Sequence, residues 1–161
     1  MGSSRYDDEM RRLALWLSSG LGLGYIPGSP GTYGTLWGVL LFYLARHWPW
    51  PQFAAGAAAF TLFAVFISQA AERETGSHDS SSIVIDEVAG YLIAVIFVPF
   101  SIKTALLSFI LFRLFDIAKP WPIRYIDKKW GGGWGVVMDD VLAGVFANLS
   151  LQLIMLIWGI S

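Results

Sequence analysis

Long stretches without a charged residue constrain this chain more than any other feature of its sequence. Residues 47–71 and 141–161 contain no Asp, Glu, Lys or Arg. Three further stretches, 13–45, 88–102 and 104–112, are also free of these residues. A helix needs about 20 mostly apolar residues to cross a bilayer. The sequence therefore predicts an all-helical chain that is embedded in a membrane.

Composition supports this interpretation and excludes several kinds of site. Of the 161 residues, 55% are hydrophobic and 14% are charged, whereas a soluble domain has about 25% charged residues. There is no cysteine, which excludes disulfides, thiolate metal sites and a cysteine nucleophile. The net charge of −1 gives no reason to expect nucleic acid as a partner. A soluble helical bundle with an unusually apolar core is the structural alternative.

The apolar stretches differ in how well they match the thickness of a bilayer. Residues 53–71 are long enough alone, and residues 136–158 are long enough if their two acids lie at one end. Residues 83–100 and 103–118 qualify only with charged residues near one end. Residues 35–48 are short and would have to tilt or begin earlier.

We predict an all-α, multi-helical integral membrane bundle of about five membrane-embedded helices. An N-terminal interfacial or re-entrant helix from residues 13–26 precedes them. Residues 1–12 form a tail in this prediction, and residues 13–161 form one domain. Lys and Arg are concentrated in the tail and in residues 119–129, so both are predicted to be cytoplasmic because basic loops remain on that side.

This topology places four polar segments at one membrane surface. Two of them contain pairs of adjacent acids at the start of an apolar stretch. A carboxylate in hydrocarbon costs about 2.5–3.5 kcal/mol and is rare without a function. Helix capping near Ser82 would explain one acid better than all of them. The four segments are residues 27–35, 76–90, 113–124 and 131–144.

The two acidic pairs predict a site for a hard divalent cation. Carboxylates that meet in a small volume repel each other unless a positive charge lies between them. Oxygen ligands without His or Cys suit Mg²⁺, Mn²⁺ or Ca²⁺. Gly90 and Gly144 each follow an acid by four residues, and they would allow the two helices to approach closely. The predicted ligands are Asp86, Glu87, Asp139 and Asp140.

The remaining polar residues suggest phosphoryl chemistry beside this metal. We predict that basic side chains and a Gly/Thr segment hold a phosphate group, and that an upstream acid or His positions or deprotonates water. The simpler interpretations are a tight turn, an Arg–Asp pair and a solvated loop His. Asp116 would orient Arg113. Asp79 or His78 would act on water together with the catalytic acids Asp86 and Asp139. The predicted phosphate-binding residues are Arg113, Lys119, Gly31, Thr32 and Thr35.

Four motifs in this order resemble one known family. They are residues 30–35 (Pro-Gly-Thr-Tyr-Gly-Thr), residues 78–87 (His-Asp-Ser-Ser-Ser-Ile-Val-Ile-Asp-Glu), the Arg113 and Lys119 segment, and the Gly-rich residues 132–135 before the second acidic pair. From about residue 20 to 147 the sequence resembles the phosphatidylglycerophosphatase A family of bacterial inner-membrane lipid phosphatases. The resemblance implies an all-α fold and Mg²⁺-dependent hydrolysis of phosphatidylglycerophosphate to phosphatidylglycerol and phosphate on the cytoplasmic side.

Two other functions are compatible with the same residues. Acids within a membrane and helices broken by Gly and Pro also form the sites of small ion or solute transporters. The predicted clustering of polar groups at one surface argues against that alternative. A phosphoryl transferase that uses an activated alcohol is the third hypothesis, although the long Asp-rich motif expected of such enzymes is missing.

Overall fold

The computed structural model describes residues 5–76 and 80–159. Within these ranges the chain forms helices joined by short connections, and no strand is present there. The prediction of an all-α fold is therefore confirmed. The helices are α1 (Arg5–Ser18), α2 (Pro30–Leu44), α3 (Trp50–Thr75), α4 (Ile85–Ala94), α5 (Ile102–Ala118), α6 (Ile123–Lys129) and α7 (Gly132–Trp158), with a short 3-10 helix at Leu23–Tyr25.

Local sequence explains where several of these helices begin and end. Pro30 opens α2, because its missing N–H is not needed in the first turn. Ser101 and Thr104 form a reciprocal capping box at the start of α5, which satisfies two free backbone donors. Gly76 ends α3 and Gly159 ends α7, both with left-handed backbone, as is common after the last helical turn.

Two helices, α3 and α7, are long and apolar enough to cross a membrane. Only 28% and 22% of their most apolar 18-residue stretches are buried within the protein. Their remaining apolar surface therefore requires another apolar environment, or a partner, to cover it. These are the two segments that the sequence identified as long enough, so this part of the prediction is confirmed.

The predicted number of about five membrane-embedded helices is not confirmed. Of residues 83–100, only Ile85–Ala94 form a helix, α4, which is followed by a turn into α5. A helix of this length extends only about 15 Å, half of the hydrocarbon thickness of about 30 Å. In the described part of the chain, two helices meet the length and composition of a span.

Helix α4 lies at the centre of the fold, against α2, α3 and α7. Tyr91 is fully buried, and its hydroxyl lies 2.8 Å from the hydroxyl of Ser108 on α5. At the end of α4, the side-chain amide of Asn148 donates to the carbonyl oxygens of Ala94 and Ile96, at 2.9 and 2.8 Å. Those carbonyls have no helical partner, so Asn148 stabilises the point at which α4 stops.

Two glycines set the distance between α4 and α7. A Cβ added to Gly90 would lie 2.6 Å from the backbone oxygen of Asp140 and 2.7 Å from the ring of Phe112. A Cβ added to Gly144 would overlap the carbonyl oxygen of Gly90. The expectation that these glycines permit close approach of the two helices is confirmed, and the approach brings the acid-bearing turns together.

The N-terminal part of the chain is more helical than the sequence suggested. Residues 5–12, which we predicted as a tail, form the first turns of α1. This helix packs against α3, and Arg11 pairs with Glu74. The end of α1 is also bonded to the segment before α4, because the backbone N–H of Val84 donates to the carbonyl oxygen of Ser18 at 2.8 Å.

Candidate active site

Three carboxylates from two helices meet where α4 crosses α7. Asp86 and Glu87 lie in the first turn of α4, and Asp140 lies further along α7. One oxygen of each lies within 4.8 Å of the others. Asp86 and Asp140 are buried, and Glu87 Oε2 has no hydrogen-bond partner among the described residues. These three oxygens could hold a hard divalent cation, because Mg²⁺ prefers carboxylate ligands.

Ser82 does not cap α4, contrary to the simpler interpretation of this segment. The residue before α4 is Val84, which has no side-chain hydrogen bond to the helix. Ser82 instead pairs with the hydroxyl of Ser80 at 3.0 Å. Asp86 Oδ1 accepts one local hydrogen bond, from the backbone N–H of Glu87 at 3.1 Å.

Several carboxylates lie close to Asp140. The carboxylates of Asp116 and Asp139 also act electrostatically on Asp140, in addition to its two neighbours on α4. Arg113 and Lys119 pair with members of this group. Carboxylates this close repel each other, so a divalent cation between them would stabilise the arrangement.

Arg113 connects the three-carboxylate cluster to the first turn of α2. Its Nη1 lies 2.5 Å from Asp116 Oδ2 and 3.9 Å from Glu87 Oε1. Asp116 is three residues further along α5 and therefore shares a helix face with Arg113. A Cβ added to Gly31 would lie 2.7 Å from Arg113 Nη1 and would overlap Glu87 Oε1. Only glycine allows α2 to lie this close to both side chains.

The two predicted threonines make local contacts. Residues 30–35, which we predicted as an open cradle, form the first turns of α2. The Thr32 hydroxyl pairs with that of Ser29 at 2.8 Å. Thr35 is fully buried, and its hydroxyl donates to the carbonyl oxygen of Gly31 at 2.7 Å. Of the three residues of this segment that were predicted to bind phosphate, Gly31 is therefore the one that lies beside Arg113 and Glu87.

Lys119 is held between two carboxylates. It follows α5 with a left-handed backbone, φ 41°, and its Nζ donates to Asp127 Oδ1 at 2.5 Å and to Asp139 Oδ2 at 2.7 Å. Burial disfavours the ammonium, but the hydrogen bonds to Asp127 and Asp139 outweigh burial and raise the pKa of Lys119 above its ordinary value. Lys119 therefore carries its charge at neutral pH.

Asp139 differs in its surroundings from the other three predicted metal ligands. Its Oδ2 accepts the hydrogen bond from Lys119, and Asp139 is not part of the cluster formed by Asp86, Glu87 and Asp140. Ligation of a cation by the other oxygen of Asp139, Oδ1, would leave this hydrogen bond in place. Its predicted role as a ligand remains a prediction.

One residue of this arrangement was missed by the sequence reasoning. Asp127 lies on α6 and pairs with Lys119, whose Nζ also contacts Asp139 on α7. The available signal was a single acid in a helix that otherwise carries basic residues, Arg124, Lys128 and Lys129. His78 and Asp79, predicted to act on water, lie outside the described residues.

Comparison with known proteins decides the family. The family model described as phosphatidylglycerophosphatase A matches residues 16–155. The chain belongs to the phosphatidylglycerophosphatase A family. The matched region contains every described residue of the candidate site, from Gly31 to Asp140, and the resemblance seen in the four motifs is confirmed.

Three relatives support this family assignment. Phosphatidylglycerophosphatase A of Escherichia coli K12 is 34% identical over 132 residues, which cover 81% of this chain and 77% of the relative. The protein of the same name from Haemophilus influenzae is 39% identical over 133 residues, covering 81% and 82%. A Bacteroides thetaiotaomicron protein, provisionally named as a phosphatidylinositol-3-phosphatase, is 35% identical over 150 residues, covering 86% and 91%. No solved structure matches the chain.

The names of these relatives bear on the alternatives raised by the sequence. All three are named as phosphatases of phospholipids. The chain is therefore assigned to a family of phosphatases, and the transporter alternative is not favoured.

Proposed function

We propose that this protein removes the terminal phosphate of phosphatidylglycerophosphate, giving phosphatidylglycerol and inorganic phosphate. The observation that carries the proposal is the meeting of Asp86, Glu87 and Asp140 beside Arg113, in a chain of the phosphatidylglycerophosphatase A family. An acidic cluster beside a guanidinium provides what a phosphate monoester requires: ligands for a divalent cation and a cationic group for phosphate oxygens.

Asp86, Glu87 and Asp140 are proposed to hold Mg²⁺. When bound, this ion would neutralise phosphate oxygens and make the phosphorus more susceptible to attack. The fit is supported by the donor set, which consists only of carboxylate oxygens, and by Glu87 Oε2, which is buried without a hydrogen bond among the described residues. Asp139 is proposed to be oriented by Lys119, beside the cluster.

The phosphate is proposed to bind between Arg113 and the first turn of α2. A guanidinium can donate two parallel hydrogen bonds to phosphate oxygens, and Asp116 fixes the direction in which Arg113 presents them. The missing side chain at Gly31 allows the guanidinium of Arg113 to lie against the first turn of α2. Lys119 adds a second positive charge at this end of α7.

Asp79 or His78 is proposed to accept a proton from the attacking water. Attack on phosphorus would break its bond to the glycerol oxygen, which then takes up a proton and remains with the lipid. This assignment rests on the sequence motif that precedes α4 and on the need of the reaction for a base.

We further propose that the protein is a multi-pass protein of the bacterial inner membrane and that the site faces the cytoplasm. From residue 141 to 158, α7 extends about 27 Å, close to the hydrocarbon thickness of about 30 Å. Asp140 would then lie at one edge of the hydrocarbon. The exposed Arg124, Lys128 and Lys129 on α6 would attract anionic headgroups by about 1 kcal/mol each.

The test is phosphate release by the purified protein in detergent. Phosphatidylglycerophosphate should be hydrolysed in Mg²⁺, and EDTA should stop the reaction until Mg²⁺ is restored. Phosphatidylinositol 3-phosphate and phosphatidic acid serve as comparison substrates. If phosphatidylglycerophosphate released no phosphate in Mg²⁺, the proposed function would be wrong. Faster hydrolysis of phosphatidylinositol 3-phosphate would move the substrate towards the one in the name of the Bacteroides relative.

A further inference from the structure

We propose that the apolar groove between α2 and α5 holds one acyl chain of the lipid substrate, an inference that rests on the proposed function. The groove has a volume of about 290 Å³. Its walls are apolar side chains from both helices, including Leu36 and Val39 of α2 and Leu106 and Phe109 of α5. It contains no charged residue in its lining.

The groove begins close to the proposed phosphate site. Leu36 lies five residues after Gly31 on α2, and Phe109 lies four residues before Arg113 on α5. Each separation is roughly one helical turn, or about 6–8 Å along the axis. Since a Cβ on Gly31 would lie 2.7 Å from Arg113 Nη1, these two residues mark where α2 and α5 meet at the polar site, and the groove lies further along the same pair of helices.

The direction of the two helices leads the groove away from the polar site. The α5 wall continues from Arg113 back to Ile102, eleven residues or about 16 Å, while the α2 wall continues from Gly31 towards Val39. In phosphatidylglycerophosphate a glycerol, a phosphodiester and a second glycerol separate the terminal phosphate from the acyl chains, so with that phosphate at Arg113 the chains would meet an apolar surface further along the helices. This groove is such a surface, and the small side chain of Ala105 leaves space within it.

A second apolar groove provides a structural comparison. It lies between α2 and α3, has a volume of about 240 Å³, and is lined by Leu44, Trp48 and Phe53. Leu44 is thirteen residues from Gly31 along α2, which corresponds to about 20 Å. A chain in that groove could not belong to a lipid whose phosphate lies at Arg113 without first crossing the surface of α2.

The groove between α2 and α5 would orient the lipid rather than provide binding energy. An acyl chain is already in an apolar environment in the bilayer, so its transfer to an apolar groove gains little. Fixing the first part of the chain would, however, restrict the position of the phosphate, and rates depend strongly on such positioning. The expected signature is therefore a dependence of turnover on acyl-chain length.

The experiment fills the groove and compares two substrates. Leu36→Trp and Leu106→Trp place a larger side chain in it, and both positions are exposed, so folding should be preserved. Leu44→Trp is the matched control, because it is an exposed leucine of α2 that lines the other groove. Each variant is assayed with long-chain and with short-chain, water-soluble phosphatidylglycerophosphate.

We expect both groove variants to lower kcat/KM for the long-chain lipid roughly ten-fold and to lower that for the short-chain lipid less, because a short chain makes fewer contacts with the groove. The control should resemble the unaltered protein with both lipids. Equal loss with both lipids, or no loss with either, would overturn the acyl-chain proposal while the phosphatase activity of the unaltered protein stands. If the unaltered protein hydrolysed neither lipid, the proposed function itself would fail, and the acyl-chain site with it.

A second measurement does not depend on turnover. A lipid phosphate with a photoreactive acyl chain, bound in EDTA, should attach mainly to residues of α2 and α5 that line the groove. Leu36→Trp should reduce this attachment and Leu44→Trp should not. Attachment spread evenly over the apolar surface of the protein would contradict a defined site.

Discussion

Replacing Gly31 with Ala tests the proposed phosphate site with the smallest possible change. The added Cβ would lie 2.7 Å from Arg113 Nη1, whereas ordinary contact begins at 3.4 Å, and it would also overlap Glu87 Oε1. Arg113 must therefore move by about 0.7 Å, or Glu87 must leave its position. Displacements of about 1 Å in an active site can cost about 10²-fold in rate, so we expect kcat/KM for phosphatidylglycerophosphate to fall by roughly 10- to 100-fold.

Stability should respond differently from activity in this variant. Gly31 lies within α2, and alanine favours a helix over glycine by up to about 1 kcal/mol. This gain offsets part of the cost of overpacking, about 1–3 kcal/mol, so the net loss should be at most about 2 kcal/mol and the thermal midpoint in detergent should fall modestly. Activity and midpoint are measured together on the same preparation.

The control is Gly56→Ala on α3. A Cβ there meets only the ring of Trp48, at 3.4 Å, which is ordinary contact. This variant should retain full activity. If Gly31→Ala were as active as Gly56→Ala and required the same Mg²⁺ concentration, Arg113 and Glu87 would not form the phosphate and metal site that we propose.

Three further predictions concern the charged groups and the helix crossing. Asp140→Asn should abolish turnover and Mg²⁺ dependence without unfolding the protein, and retained Mg²⁺-dependent phosphate release would refute its role as a ligand. Lys119→Met removes the ammonium that pairs with the buried Asp139 carboxylate and should cost about 3–5 kcal/mol of stability. Asp127→Asn keeps the pair between Lys119 and Asp139 and should cost about 1 kcal/mol. Equal shifts of the thermal midpoint in the two variants would contradict the pairing in the structure. Because the pKa of Lys119 is raised, its stabilising contribution should be constant from neutral pH to the ordinary value of 10.5 and should then decline as the pH rises through the raised value. Gly144→Ala places a Cβ against a backbone carbonyl of α4. This variant should lose about 1–3 kcal/mol of stability, with a lower thermal midpoint and lower activity. An unchanged midpoint would show that α4 and α7 can move apart at no cost, contrary to the prediction.

The sequence predicted those parts of the fold that depend on local composition. The apolar lengths of α3 and α7 are properties of single segments, and both helices occur where the sequence placed them. The end of α4 at Ala94 could not be predicted in the same way, because residues 88–102 are uniformly uncharged. The carbonyl oxygens exposed there are satisfied by Asn148, which lies 54 residues further along the chain.

The chemistry of the candidate site could be predicted from residue types, but its partners could not. Two acidic pairs without His or Cys indicated a hard cation, and the motifs indicated the family. Neighbouring residues on a helix point about 100° apart, so the sequence alone does not say which of Asp139 and Asp140 faces α4. Only the tertiary structure decided that Asp140 joins Asp86 and Glu87 while Asp139 turns to Lys119, because that choice depends on where α4 and the end of α5 lie around α7.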